Sequence, residues 1–204
     1  MRLKIESMAY GPDAVAHADD GRAVFVTGAV PGDVVEAEVV REEKRLVKAR
    51  VTAVLEPSPD RVEPRCPWAS VCGGCPWAAM DYAAQLAAKR DNVVQSLSRI
   101  GHLGAERAEA LVAPVLAPGA SWGYRNKVEL AVERRRGRAV VGMHAQGDSG
   151  VVKVDRCLLL DADHEGLVKA VSGSLSYLAN SHNLNVERVG IRASRRTGDV
   201  EVAL

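Results

Sequence analysis

Residues 1–56 alternate apolar and polar positions over five short runs: RLKIESM, AVAHA, AVFVTG, DVVEAEVV and VKARVTAVLE. A period of two puts every second side chain on one face. Turn-forming clusters at Tyr10-Gly11-Pro12-Asp13, Asp19-Asp20-Gly21 and Pro31-Gly32-Asp33 separate the runs, so five strands are predicted. A sheet this small cannot leave its edges open, and closing it gives a five-stranded, oligonucleotide-binding-like (OB-like) β-barrel. Phe25, the one phenylalanine, stands among valines in the third run and is expected in the core. The segment EPSPDRVEPRCP carries four of the nine prolines, which stiffens the exit from the barrel. The organisation read from this is a barrel over 1–58 and a second domain over 59–204.

Beyond the linker the period changes. Tyr82, Leu86, Val93, Leu97 and Ile100 recur at helical spacing, which predicts a helix from Asp81 to about Ile100, stopped by Gly101 and Gly104. Residues 124–132, 138–144 and 151–154 read as antiparallel strands, with turns over RRRGR and QGDSG. A second helix is expected from Asp161 to about Ala179, then a strand pair over 186–193 and 200–204 around Arg196-Thr197-Gly198-Asp199. The fold class is α+β: the barrel, then an incomplete mixed α/β domain.

Composition narrows the function. With 47% hydrophobic and 26% charged residues the chain is globular, and no apolar run reaches bilayer length. The start, MRLKIESMAY, has no secretory signal, so a soluble, cytoplasmic protein with no membrane partner is expected. Lys and Arg number 27 against 26 acidic residues, a formal charge of +1, so any attraction to a polyanion must be local. Basic clusters stand at Lys44-Arg45 with Lys48 and Arg50, at Arg134-Arg135-Arg136 with Arg138, and at Arg188, Arg192, Arg195 and Arg196. Lys44, Arg45 and Lys48, together with Arg125 and Lys127 on one face of a strand, are the candidate phosphate contacts. The five histidines show neither metal spacing nor a catalytic partner.

The cysteines carry the chemistry. Cys66, Cys72 and Cys75 lie within CPWASVCGGC, and Cys157 follows far downstream. In a chain without a secretory signal such clustering points to a metal rather than to disulfides. Zinc sites draw ligands as two short pairs, whereas this set is C-x5-C-x2-C plus one, which suits a wider 4Fe-4S cube better. Gly73-Gly74 is expected to supply positive backbone angles and close approach, and Trp68 and Trp77 to shield the site. A zinc-stabilised module remains the competing reading.

Several segments in order resemble a known family. AYGPDAVAHADDGRAVFVTGAVPGDVVEAEVV resembles a TRAM barrel, EPSPDRVEPRCP its exit, and VCGGCPWAAMDYAAQLAAKR a cluster loop with its helix. SWGYRNKVEL and VDRCLLL resemble the entry strand and the fourth-ligand segment of the domain that follows. The family is the TRAM-containing, iron-sulfur uridine-5 RNA methyltransferases, of the 23S rRNA uracil-5-methyltransferase type. This chain departs from it at Pro76-Trp77, where many members carry Gln and often His. The resemblance implies a 4Fe-4S cluster on Cys66, Cys72, Cys75 and Cys157. It also implies RNA as partner, rRNA before tRNA and not DNA, and methylation of uridine carbon 5 with S-adenosylmethionine.

In the family the cofactor fold, nucleophile and base lie in a C-terminal domain. No such domain is read in these 204 residues, which have no two glycines spaced as G-x-G and no cysteine outside the cluster set. The chain is therefore expected to be the RNA-recognition and cluster-bearing part, with no catalytic residue, inactive alone, and S-adenosylmethionine serving only the complete enzyme. Competing readings are a stand-alone RNA-binding iron-sulfur protein and a radical methylthiotransferase, though the latter needs C-x3-C-x2-C.

Overall fold

A computed structural model describes residues 1–117, 119–148, 150–182 and 185–204. The chain forms two compact units, Met1–Arg65 with Pro76–Ala117, and Cys66–Cys75 with Pro118–Leu204. The first unit thus runs beyond residue 58 and takes in the helix that follows the cysteine loop.

Six strands build the first unit: β1 (Arg2–Lys4), β2 (Ser7–Met8), β3 (Ala14–His17), β4 (Ala23–Thr27), β5 (Val34–Glu42) and β6 (Leu46–Glu56). They form one sheet in the order β1-β5-β6-β4-β3-β2, with β4 and β6 parallel and every other pair antiparallel. All five expected runs are extended, but the first is broken in two. Ile5 N–H donates to Asp33 O and Glu6 N–H to Val15 O, so the chain changes partner between neighbouring residues. β1 and β2 stand at opposite ends of the strand order yet are joined by Ile5 and Glu6 alone, which makes the sheet curl back on its own first segment.

Strand alternation fills the interior with Leu3, Ile5, Ala14, Ala16, Val24, Val26, Val35, Ala37, Val47 and Ala49, all buried. Each valine fully withdrawn from water contributes about 1.5–3 kcal/mol. The same alternation corrects the expectation for Phe25. With Val24 and Val26 inside, Phe25 points the other way and lines a groove of about 770 Å³ with Tyr10, Ala88 and Ile100. From Glu38 onward β5 is exposed, Val39 and Val40 included, beside a β-bulge, while the β6 residues paired with this stretch keep Val47 and Ala49 in the core.

Asp33 is the polar anchor of the unit. Its side chain is fully buried, accepts from the N–H groups of Val30 (2.7 Å) and Ser58 (2.9 Å), and meets the Arg61 guanidinium at 2.6 Å. Burial by itself would raise its pKa. Arg61 and the two backbone donors outweigh that and hold the carboxyl below its ordinary value. One carboxylate thereby ties the turn before β5 to the proline-rich exit.

Helix α1 (Tyr82–Gln95) starts where Asp81 caps it, its Oδ1 accepting from Ala83 N–H at 2.9 Å. The inward face is made of Ala84, Ala88 and Val94. Val93 and Ile100, apolar at the helical spacing, are exposed. A single π-helical turn, Ser96–Ile100, ends the helix at Gly101. A short helix that the sequence pattern did not indicate, α2 (Ala105–Leu111), is held to α1 by Arg90, which donates to Glu109 at 2.6 Å and to Val112 O at 3.0 Å.

The second unit is an antiparallel sheet in the order β11-β10-β7-β8-β9 with one helix on it. Its elements are β7 (Lys127–Arg135), β8 (Arg138–His144), β9 (Val151–Val152), α3 (Leu167–Ser181), β10 (Arg188–Ala193) and β11 (Val200–Ala203). Arg136 and Gly137, both at positive φ, make the β7–β8 turn. Val128, Leu130, Val141, Val189 and Ile191 bury against Val168 and Leu175 of α3. The turn expected over QGDSG lies partly outside the described residues, at Ser149. α3 begins six residues later than expected, because Asp161 bonds the His164 ring at 2.6 Å in a separate turn. No helix among the described residues is long and apolar enough to cross a membrane.

Candidate metal centre

All four cysteines belong to the second unit and line one cavity of about 500 Å³. Two segments bring them there. Over 66–75 the chain turns tightly, with Ala69 N–H bonded to Cys66 O and both Val71 and Cys72 N–H to Trp68 O. This loop is then stitched to the end of β8. Gly73 N–H donates to His144 O at 2.8 Å, Gln146 N–H to Val71 O at 3.0 Å, and Cys72 pairs with Ala145 as an isolated bridge.

Gly73 has a steric reason. A Cβ there would sit 2.9 Å from the Ala145 carbonyl oxygen, whereas one at Gly74 would make only ordinary contact at 3.5 Å with Cys72 Sγ. Neither glycine adopts positive φ, so the expected left-handed angles are replaced by close backbone approach at Gly73 alone. The second segment carries Cys157. Leu160 N–H bonds Cys157 O, Gly123 N–H bonds Leu158 O, and Arg125 N–H bonds Leu159 O at 2.7 Å, which pins the segment beside the start of β7.

The thiols are half-buried and none is in a disulfide. Cys72 and Cys75 show the electrostatic cost of this arrangement. Burial, opposed by the Gly74 N–H and reinforced by the charges of Cys66 and Cys157, pushes the Cys72 thiol up. At Cys75 burial and the other three cysteines push it up to about 11, with Arg125 alone pulling it down. Four thiolates cannot share this space without a positive centre among them. Among the described residues no group of three or more Cys, His, Asp or Glu side chains is disposed to hold a metal ion.

The remaining sequence-derived positions are scattered. Trp68 lines the cavity and packs on the second core, as expected of a shield. Trp77 does not. It packs on the first unit's core and donates its indole N–H to Gly11 O at 2.8 Å, while Trp122, which sequence reasoning passed over, lines the cavity instead. Arg125 and Lys127 also line it, and Lys127 is paired with Glu129 at 2.7 Å. Lys44 and Arg45 in the β5–β6 turn, and Lys48 on β6 between the buried Val47 and Ala49, are exposed and form no ion pair among the described residues. Of the other basic residues, Arg50 pairs with Glu38, Arg135 with Glu133 and Arg195 with Asp161.

No family model matches the chain. It is 34% identical over its whole length to an uncharacterised RNA methyltransferase of Thermosynechococcus vestitus, matching 45% of that protein. It is 36% identical over 159 residues, 77% of this chain and 35% of the relative, to the 23S rRNA (uracil(1939)-C(5))-methyltransferase of Dechloromonas aromatica. The chain therefore spans less than half the length of these relatives. The Pyrococcus abyssi tRNA (uracil-54, C5)-methyltransferase, solved in complex with S-adenosyl-L-homocysteine, shares the fold at a TM-score of 0.62 over 98% of this chain and 44% of that one, at 18% identity. By these relatives, the chain belongs to the family of uracil-C5 RNA methyltransferases.

Proposed function

We propose that the protein serves methylation of carbon 5 of a uracil in RNA, ribosomal RNA before transfer RNA, with S-adenosylmethionine as methyl donor. In this reading the first unit is an OB-like TRAM barrel that binds RNA, and Cys66, Cys72, Cys75 and Cys157 hold a 4Fe-4S cluster. The observation that carries it is the convergence of four cysteines from two distant segments on one cavity. The donor set fits in kind, though no three of its side chains are disposed to hold a single metal ion among the described residues: four soft thiols, two of them driven upward in pKa by burial and mutual charge, are stabilised as thiolates only by a cationic centre. A loop carrying three ligands with the fourth arriving alone suits a cube better than a zinc site built from two pairs. Bound there, the cluster would link the cysteine loop to the Cys157 segment and offer a one-electron couple.

Within residues 1–204 the part assigned to RNA is electrostatic. Lys44 and Arg45 in the β5–β6 turn and Lys48 on β6 are exposed, placed to meet phosphates, which fixes the position of an RNA without reading its sequence. No catalytic group is assigned here, because every cysteine able to add to uracil carbon 6 faces the cavity. Two measurements test the reading. Anaerobically purified protein should contain about four irons and as many acid-labile sulfides per chain. It should also bind a ribosomal RNA fragment with an affinity that falls steeply with salt. Stoichiometric zinc without iron, or RNA binding indifferent to salt, refutes the corresponding half.

A further inference from the structure

The cysteine cavity is also lined by three cations, Arg125, Lys127 and Arg156. Lys127 is neutralised by Glu129 at 2.7 Å. Arg125 and Arg156 have no carboxylate partner among the described residues. Arg125 is the better fixed of the two. Its backbone N–H is held by Leu159 O at 2.7 Å, and the residue bridges to Leu160 in the segment that carries Cys157. Its guanidinium lies 5.8 Å from the centre of the Tyr124 ring, a contact that uses none of its N–H donors.

An arginine whose backbone is anchored beside four half-buried thiols, and whose exposed side chain lines the same cavity, has a consequence for anything those thiols bind. Four thiolates around a cuboidal core leave the assembly negative, and an added electron makes it more so. In a site only partly open to water that electron is stabilised by any fixed positive charge nearby. We infer that Arg125 is the counter-cation of the cysteine site and sets the reduction potential of the iron-sulfur group held there. The inference rests on the cluster reading above. The couple is a single electron passing from reductant to cluster, with no bond made or broken. Arg125 acts on it through space, as a positioning charge and not as a ligand.

The test uses the full 204-residue chain, reconstituted anaerobically with iron and sulfide and titrated with dithionite while electron paramagnetic resonance follows the reduced cluster. Wild type is measured first, beside Arg125→Lys and Arg125→Gln. At the wild-type midpoint the reduced-to-oxidised ratio should drop about tenfold in Arg125→Gln, a shift of about 59 mV for one electron. Arg125→Lys should stay close to wild type. An Arg125→Gln protein with full iron and the wild-type midpoint overturns the inference while leaving the cluster reading intact. If Arg125→Gln loses its cluster, the lysine variant decides: retention at the wild-type potential supports a charge role, and loss in both shows a role of shape and overturns it. Wild type that takes up no iron-sulfur centre overturns the cluster reading, and this inference falls with it.

Discussion

Replacing Asp33 by Asn keeps the shape of a fully buried side chain and removes its charge. In the wild type that carboxylate accepts from Val30 and Ser58 N–H and from the Arg61 guanidinium at 2.6 Å. An amide offers one acceptor oxygen and turns an NH2 group toward a cation, so at least one contact becomes repulsive and Arg61 loses its counter-ion. Breaking a buried ion pair costs about 3–5 kcal/mol. Because 19% of the Arg61 side chain is exposed and can recover some hydration, the lower end applies, about 3 kcal/mol. With a urea slope of ~2 kcal/mol/M, the unfolding midpoint of the first unit should fall by about 1.5 M.

The pH dependence gives an independent check. The Asp33 pKa is depressed in the folded state, so its contribution is fully present above the unfolded value of about 3.9 and is lost as pH falls from there through the folded value. The gap between wild type and Asp33→Asn should hold constant from pH 7 to 5 and close below about pH 4. The assay is urea unfolding followed by circular dichroism at each pH, with hydrogen exchange of the Val30 and Ser58 amides reporting local opening. Equal midpoints at pH 7, or a gap undiminished at pH 3, would refute the argument.

Cys157→Ser should drop iron from about four per chain to less than one and loosen the segment around Leu158–Leu160, read by iron analysis and hydrogen exchange. Replacing Lys44, Arg45 and Lys48 together with Gln should flatten the log-log salt dependence of RNA binding by about two units if all three meet phosphates, each worth roughly 0.7–0.9; an unchanged slope assigns them to solvent. Gly142→Ala should cost about 1–3 kcal/mol or more by urea unfolding, because a Cβ there would overlap the Val152 carbonyl oxygen across β8 and β9; wild-type stability would mean β9 can shift away at little cost.

What could be read from the sequence was governed by how local each feature is. The first unit's strands follow from period-two alternation, yet the break at Ile5 and Glu6 carries no residue signal, because what changes there is the hydrogen-bond partner, Asp33 for Ile5 and Val15 for Glu6. Phe25 has the hydrophobicity of a core residue but the wrong parity: Val24 and Val26 hold the inner face. In α1 the apolar spacing selects the buried stripe only in part: Val94 is its one fully buried residue, beside the half-buried Ala84 and Ala88, while Val93 and Ile100 are left outside. The cysteine set was legible because thiol chemistry restricts what such a group can do whatever the fold. Its surroundings were not, since Trp122, Arg125 and Arg156 reach the cavity only through the hydrogen bonds that pin residues 123–125 against residues 158–159. Sequence spacing can thus nominate the ligands of such a centre, but the charges that tune it are recruited by tertiary contacts, and that is where substitutions such as Arg125→Gln are informative.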